Sequence, residues 1–400
     1  MRSVYERLPG LGCPVITVAG TNGKGSTCAL LESIYRAGGL RTGAYFSPHL
    51  VHYNERVRVA GEDASDAVLC AAFAAVEAVR GDVPLTYFEF GTLVALMVFA
   101  QARVDVAILE VGLGGRLDAV NIVDPDVAVV VSVGTDHKDW LGPDRETIGR
   151  EKAGIFRAQR PAVIGFDVSD SVLGEAERRG ARPLVGGRDF RYEDRGTAWR
   201  YAGVHGVRDL PYPALRGRYQ LANAACALAA VEALPALAMT ARDIRAGLQA
   251  VRLAGRFQTI PGKGPRVVLD VAHNAEAAQI LARTLAEQAH PGRTLAVMGM
   301  LSDKPIAEVC AALAGVFDGW YLASLDDDPR GASASSLAAT LQGLGIQPQG
   351  MYDDPHQAFT AALRHAGPED RVVVFGSFKT VGAILAAGFG GGEAGGSRVL

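Results

Sequence analysis

Residues 15–26 read Val-Ile-Thr-Val-Ala-Gly-Thr-Asn-Gly-Lys-Gly-Ser, and an Ala/Leu-rich segment runs on from Thr27 to Ala37. An apolar run, a glycine-rich turn and a helical pattern are adjacent, which predicts a strand, a tight loop and a helix start. In that arrangement backbone N–H groups and the positive end of a helix converge on one spot, where a phosphate chain can sit. Lys24 adds a mobile positive charge, and the Ser26 hydroxyl can reach a phosphate or a Mg²⁺ ion. Asn22, Gly23, Lys24, Gly25 and Ser26 are therefore read as nucleotide-binding. The common P-loop pattern needs a glycine five residues before the Gly-Lys pair, and that position is Val18. A plain strand-to-helix turn would use glycine for its backbone freedom alone. It would not call for a lysine and a hydroxyl as well.

Outward from the loop, apolar runs alternate with helical patterns. Strands are expected at 14–19, 41–46, 104–110, 126–133 and 161–165, with helices near 26–37, 64–80, 88–102 and 144–156. The run Val127-Ala128-Val129-Val130-Val131 is apolar at every position, as in a strand buried on both faces of a parallel sheet. The fold class is α/β: a mononucleotide-binding domain built on a mostly parallel sheet, followed by a smaller Rossmann-like α/β domain. Residues 186–213 suggest an antiparallel meander, with helices near 218–234 and 240–250 after it. The Pro/Gly-rich stretch between Leu253 and Pro265 reads as a linker or exposed turn. Strands are expected again near 266–271, 294–298, 318–322 and 371–376. The domains predicted are 1–253 and 254–388, with a flexible tail over 389–400.

The chain has 400 residues, 49% of them hydrophobic and 21% charged, with a formal net charge of −3. That balance gives no electrostatic case for a nucleic-acid partner. No run of about 18 apolar residues is present to span a membrane. The five cysteines are scattered, without a C-x-x-C pair. They read as small buried residues in a reducing compartment, and the cytoplasm is the expected location.

Chemistry concentrates at strand ends. Glu110 closes an apolar strand and precedes Val111-Gly112-Leu113-Gly114-Gly115-Arg116-Leu117-Asp118. A carboxylate at the C-terminal edge of a parallel sheet suits a Mg²⁺ ion that takes few carboxylates plus phosphate oxygens and water. A salt-bridged carboxylate is the plainer alternative. The glycine cluster fails as a dinucleotide fingerprint because Leu117 stands at its third glycine position. His137 follows the next strand, as a metal ligand or a structural hydrogen-bonder. Lys152 reads as an ordinary surface lysine of a polar helix. Asp270-Val271-Ala272-His273-Asn274 ends the first strand of the second domain, where Asn274 would serve as a helix N-cap. Arg256 is a cation of the Pro/Gly-rich stretch, able to reach phosphates or simply exposed. Leu85-Thr86-Tyr87-Phe88-Glu89-Phe90-Gly91-Thr92 places three aromatics in four residues, as core or as the wall for a flat heteroaromatic ring.

The segments GTNGKGS (20–26), SPHL (47–50), NERV (54–57), LTYFEFGT (85–92), ILEVGLGGRLDAVNIV (108–123), DHKDWLG (136–142), EKAGIF (151–156), QLANAACAL (220–228), GRFQ (255–258), DVAHN (270–274), MLSDK (300–304) and FGSFKTVG (375–382) follow one another along the chain. In this order they resemble the bacterial bifunctional dihydrofolate synthase/folylpolyglutamate synthase family of the Mur ligase superfamily. The resemblance implies an ATP-dependent ligase that joins L-glutamate to 7,8-dihydropteroate and to reduced folates through an acyl phosphate. It implies that Gly23, Lys24, Gly25 and Ser26 hold the ATP phosphates, and that Asn223, Arg256 and Asp270 contact the nucleotide with His273 close by. It implies two Mg²⁺ ions, one on Ser47 and Glu110, the other on Glu110, His137 and a carbamylated Lys152. Lys24, Lys152 and His273 are then the catalytic set, and Thr86, Phe88, Asp118 and Ala119 line the pteroate pocket. A monomer is implied. The D-x-G-L-x-R segment that touches the pterin in the family is not found before Gly20, so part of that pocket is expected from elsewhere or from a longer start. A peptidoglycan-precursor ligase is disfavoured by LTYFEFGT and GLGGRLDAVN. A P-loop nucleotide switch would not need DVAHN, GRFQ or the Glu110/His137 pair.

Overall fold

Alternate residues of the apolar strands go to opposite sides of one sheet. In β1 (Val15–Ala19), Ile16 and Val18 join one core while Val15 and Ala19 join two others. In β6 (Val127–Ser132), Val127, Val129 and Val131 face the first core, and Ala128 and Val130 face away. Burial on both faces is why these runs carry no polar alternation. The computed structural model describes residues 1–262, 264–288 and 290–389. These fall into two compact units, Met1–Leu253 and one that begins at Ala254.

The first unit starts with a short α1 (Arg2–Tyr5), then β1, α2 (Lys24–Ala37), β2 (Thr42–Tyr45), β3 (Val57–Val59), β4 (Glu62–Asp63), α3 (Asp66–Arg80), α4 (Tyr87–Ala102) and β5 (Val106–Glu110). After β6 come α5 (Lys138–Leu141), α6 (Arg145–Lys152), β7 (Pro161–Asp167), α7 (Asp170–Arg178) and β8 (Arg182–Val185). The eight-stranded sheet has the order β4-β3-β2-β5-β1-β6-β7-β8. It is parallel from β2 to β8, and β3 and β4 add antiparallel at one edge. The expected meander is present as β9 (Arg191–Asp194), β10 (Trp199–Gly203) and β11 (Gly206–Leu210), a separate antiparallel sheet. Two helices follow, α8 (Tyr219–Glu232) and α9 (Ala241–Ala250).

The second unit holds β12 (Gln258–Ile260), β13 (Arg266–Leu269), α10 (Ala275–Glu287), β14 (Thr294–Met298), α11 (Ile306–Leu313), β15 (Gly319–Ala323), α12 (Ala334–Gly343), β16 (Gly350–Tyr352), α13 (Pro355–His365), β17 (Arg371–Phe375) and α14 (Phe378–Ala386). Its sheet order is β12-β13-β17-β14-β15-β16. The Pro/Gly-rich stretch is therefore not all linker. β12 pairs antiparallel with β13, and Phe257 before it is buried. A three-residue edge strand between glycines and prolines leaves no periodicity to read. The tail expected to be flexible lies, except for Phe389, outside the described residues. No described helix is long and apolar enough to cross a membrane.

Candidate functional site

The sheet order of the first unit sets the site side by side along one edge. β1 lies between β5 and β6, with Val18 opposite Glu110 and Ala19 opposite Val130. The loop after β1 is thus flanked by Glu110 on one side and by the end of β6 on the other. This is the carboxyl edge at which open α/β sheets take ligands.

The loop is pinned from behind. The Asn22 N–H donates to Ser132 Oγ at 3.0 Å, and that hydroxyl donates to the Asn22 carbonyl at 2.8 Å. The Thr21 N–H donates to the Ser132 carbonyl, and the Thr21 hydroxyl is bonded to both main-chain groups of Gly134. Gly23 adopts φ +87° with Asn223 directly over it; a Cβ there would lie 2.4 Å from Asn223 Oδ1. Only glycine fits. Asn223 is held in turn by Gln220, whose amide also donates to Ser26 Oγ at 3.3 Å. α2 begins at Lys24 without a side-chain cap. Its amino end is left to an anion.

Lys24 Nζ donates to the carbonyls of Gly20 (2.9 Å) and Thr21 (3.3 Å). The Gly20 carbonyl also accepts from Lys152 Nζ at 3.1 Å. Lys152 is no surface lysine. Only 4% of it is exposed, at the last turn of α6, and burial together with the Lys24 charge pushes its amine down to about 7. The helix sequence gave no hint of this, because burial here comes from what packs on α6. Gly115 lies against the Glu151 and Lys152 carbonyls, and the Arg116 N–H donates to the Glu151 carbonyl at 2.8 Å.

Of the other residues expected to hold metal, Glu110 is buried and accepts from the Ser47 N–H at 3.2 Å. His137 is exposed, in the left-handed region at φ +57°, with Nε2 3.8 Å from Asp136. Among the described residues no three His, Cys, Asp or Glu side chains are arranged as a metal cage. One buried carboxylate beside a serine suits a hard divalent ion whose remaining ligands are phosphate oxygens and water.

Beyond Glu110 the main chain wraps a cavity of about 540 Å³, which brings together Thr86, Phe88, Asp118 and Ala119 with Arg2, Arg116, Leu117 and Trp140. The Phe88 ring packs against Gly112, where a Cβ would come within 2.5 Å. Thr86 spends its hydroxyl in a capping box with Glu89 at the start of α4. Asp118 accepts from the Leu113 and Val120 N–H groups, closing the glycine-rich loop, and burial pushes its carboxyl up to about 6. Both residues carry a local structural task at the cavity wall.

In the second unit, Asp270 is buried and accepts from the Phe257 and Ala272 N–H groups, and burial raises its pKa. Asn274 caps α10, accepting from the Ala277 N–H at 2.9 Å. Arg256 lies 5.2 Å from the Phe378 ring centroid, and the His273 ring is 6.1 Å from that ring. Arg256, His273 and Phe378 thus form one cluster. Gln220 and Ser132 carry no sequence signal of their own beyond lying in a motif or at a strand end.

Comparison with known proteins matches residues 18–231 to the Mur ligase middle domain and residues 255–378 to the Mur ligase glutamate ligase domain. The chain is 49% identical over 373 residues to the dihydrofolate synthase/folylpolyglutamate synthase of Escherichia coli (strain K12), covering 93% of this chain and 86% of that one. It is 35% identical to the enzyme of that name from Mycobacterium tuberculosis, over 82% of this chain and 74% of the other. Among solved structures, E. coli FolC in complex with DHPP and ADP superimposes with a TM-score of 0.91 at 47% identity, covering 96% of this chain and 91% of that one. A bifunctional folylpolyglutamate synthase/dihydrofolate synthase with Mn, AMPPNP and L-glutamate bound gives 0.89 at 47% identity, covering 96% and 92%.

Proposed function

Because this chain belongs to the Mur ligase family, in its dihydrofolate synthase/folylpolyglutamate synthase branch, we propose that its site joins the amine of L-glutamate to the carboxylate of 7,8-dihydropteroate and of reduced folates. The enzyme is an ATP-dependent ligase that uses a divalent metal ion. The observation that carries this reading is the loop Gly20–Ser26, which leads into the uncapped start of α2 and is registered beside Glu110.

A carboxylate is a poor electrophile, so the acceptor's carboxylate oxygen attacks the γ-phosphorus of ATP and ADP leaves. The glutamate amine then attacks the acyl carbon of the resulting acyl phosphate, gives up a proton, and phosphate departs. In this scheme the loop N–H groups orient the phosphates. Lys24 exchanges the Gly20 and Thr21 carbonyls for phosphate oxygens. Asn223, over Gly23, and Gln220, on Ser26, hold the loop rigid. Ser47, Glu110, His137 and Lys152 are the proposed metal ligands, for two ions. The metal supplies charge neutralisation on the transferring phosphoryl group.

We include carbamylation of Lys152 in the proposal. A lysine must lose its proton to take up CO₂, and Lys152, with its amine pushed down to about 7, is substantially neutral at physiological pH. The modification would also replace a cation facing Lys24 with an anion. Arg256, Asp270 and His273 are proposed nucleotide contacts, and Thr86, Phe88, Asp118 and Ala119 acceptor contacts. A monomer in the cytoplasm completes the proposal.

Two experiments test it. Incubation with Mg-ATP, labelled L-glutamate and dihydropteroate should yield dihydrofolate carrying the label; unlabelled pterin product alone refutes the ligase. Lys152→Ala should lose at least about a hundredfold in rate and regain part of it with added short carboxylates. Full activity in that variant would end the carbamate assignment.

A further inference from the structure

The cavity that takes the acceptor has one wall the assignments so far leave unused. Among the described residues, the two most exposed large apolar side chains, Leu117 (80%) and Trp140 (79%), both line this one cavity, with Leu113 less exposed on the same wall. Exposed apolar groups gathered on a concave wall mark a ligand surface more often than scattered ones do.

The wall is built to stay in place. Trp140 sits on α5, which begins directly after His137. Leu141, the next residue, is buried, and a Cβ on Gly114 would come within 2.8 Å of it. Gly142 then takes φ +113° against Thr147. α5 is thus anchored through Leu141, and the indole is left facing the cavity rather than the core. Glu151 lines the same cavity, and its neighbour Lys152 donates to the Gly20 carbonyl of the phosphate loop at 3.1 Å. The cavity and the phosphate loop therefore adjoin.

The acceptor has three chemical parts in a row: a polar fused ring, an aminobenzoyl ring, and the carboxylate that reacts. The polar ring needs hydrogen-bond partners, which Asp118 and the main chain of the glycine-rich loop offer. The carboxylate must reach the phosphates beside Lys24. The ring between them needs apolar faces. On this rests the inference, which depends on the ligase reading above: we propose that Trp140, with Leu117 on the same cavity, is the platform for the aminobenzoyl ring and so a specificity-determining residue for the acceptor. An indole face offers a large, rigid contact for such a ring. Held there, the ring sets the depth at which its carboxylate meets the phosphate loop.

The test compares Trp140→Ala, Trp140→Phe and Leu117→Ala with the unmodified enzyme. Because Trp140 is exposed, all three should fold normally, as the thermal unfolding midpoint will show. Trp140→Ala should raise the KM for dihydropteroate about tenfold or more, with the KM values for ATP and L-glutamate unchanged. Trp140→Phe should restore most of the affinity, and Leu117→Ala should fall between. A second readout is optical. Trp199 and Trp320 are fully buried, so Trp140 is the tryptophan that meets solvent. Dihydropteroate alone should quench emission, and Trp140→Phe should lose more than half of that quenching. An unchanged dihydropteroate KM in Trp140→Ala, or equal quenching in Trp140→Phe and the parent, overturns the platform. If instead the parent enzyme forms no product from dihydropteroate and glutamate, it is the ligase reading that fails.

Discussion

Two strand-to-helix junctions, one in each unit, start from the same topology and end differently. After β1 the chain turns through Gly20–Ser26 into α2, and no side chain caps that helix. After β13 it turns through Asp270–Asn274 into α10, and Asn274 caps it. At the first junction Ser132 and Gly134, beyond the end of β6, hold the loop through Asn22 and Thr21, and no side chain takes the amino end of α2. At the second, the Asp270 carboxylate and the Asn274 amide oxygen take the local N–H groups themselves. One junction offers backbone donors to a ligand. The other is internally satisfied and offers side chains, Arg256, His273 and Phe378. A carboxyl-edge position is therefore only an opportunity. Whether a helix start binds an anion depends on whether its own sequence has already capped it.

Three substitutions probe that contrast, in decreasing order of effect. Lys24→Ala should cut ATP-dependent phosphate release by about a thousandfold while leaving unfolding by urea nearly unchanged; a loss below tenfold would mean that the loop does not carry the phosphoryl transfer. Gly23→Ala places a methyl 2.4 Å from Asn223 Oδ1 at a backbone angle of +87°. It should weaken nucleotide binding by about a hundredfold in a calorimetric titration, and unaltered binding would show that the loop need not keep this shape. Asn274→Ala removes the side-chain cap of α10. It should lower stability by about 1 kcal/mol in chemical denaturation. Nucleotide affinity should change little, and a collapse in affinity comparable to that of Gly23→Ala would erase the distinction between the junctions.

The open junction was legible in the sequence, because glycine, lysine and serine after an apolar strand have few other uses. So were the place of Glu110 at a strand end and the capping role of Asn274. Lys152 was not. Its helix is mostly polar, the loop around Gly115 and Arg116 packs on its main chain, and its buried amine meets the Gly20 carbonyl, 132 residues away in sequence. Only the resemblance to the ligase family pointed to it. Ser132 and Gln220 were silent for the same reason: each acts through a partner more than a hundred residues away. β12 was missed because an edge strand of three residues, set among glycines and prolines, has no period to detect. Thr86 and Asp118 showed the reverse. The resemblance implies an acceptor role for them, and the structure shows that Thr86 caps α4 while Asp118 closes the glycine-rich loop.

The central claim is that the open junction serves a ligase rather than a nucleotide switch. Phosphate release from Mg-ATP by the purified enzyme, followed with dihydropteroate and L-glutamate added separately and together, tests it most directly. Sustained release only when both are present, one phosphate per amide formed, is the result expected. Release at full rate without glutamate would contradict it.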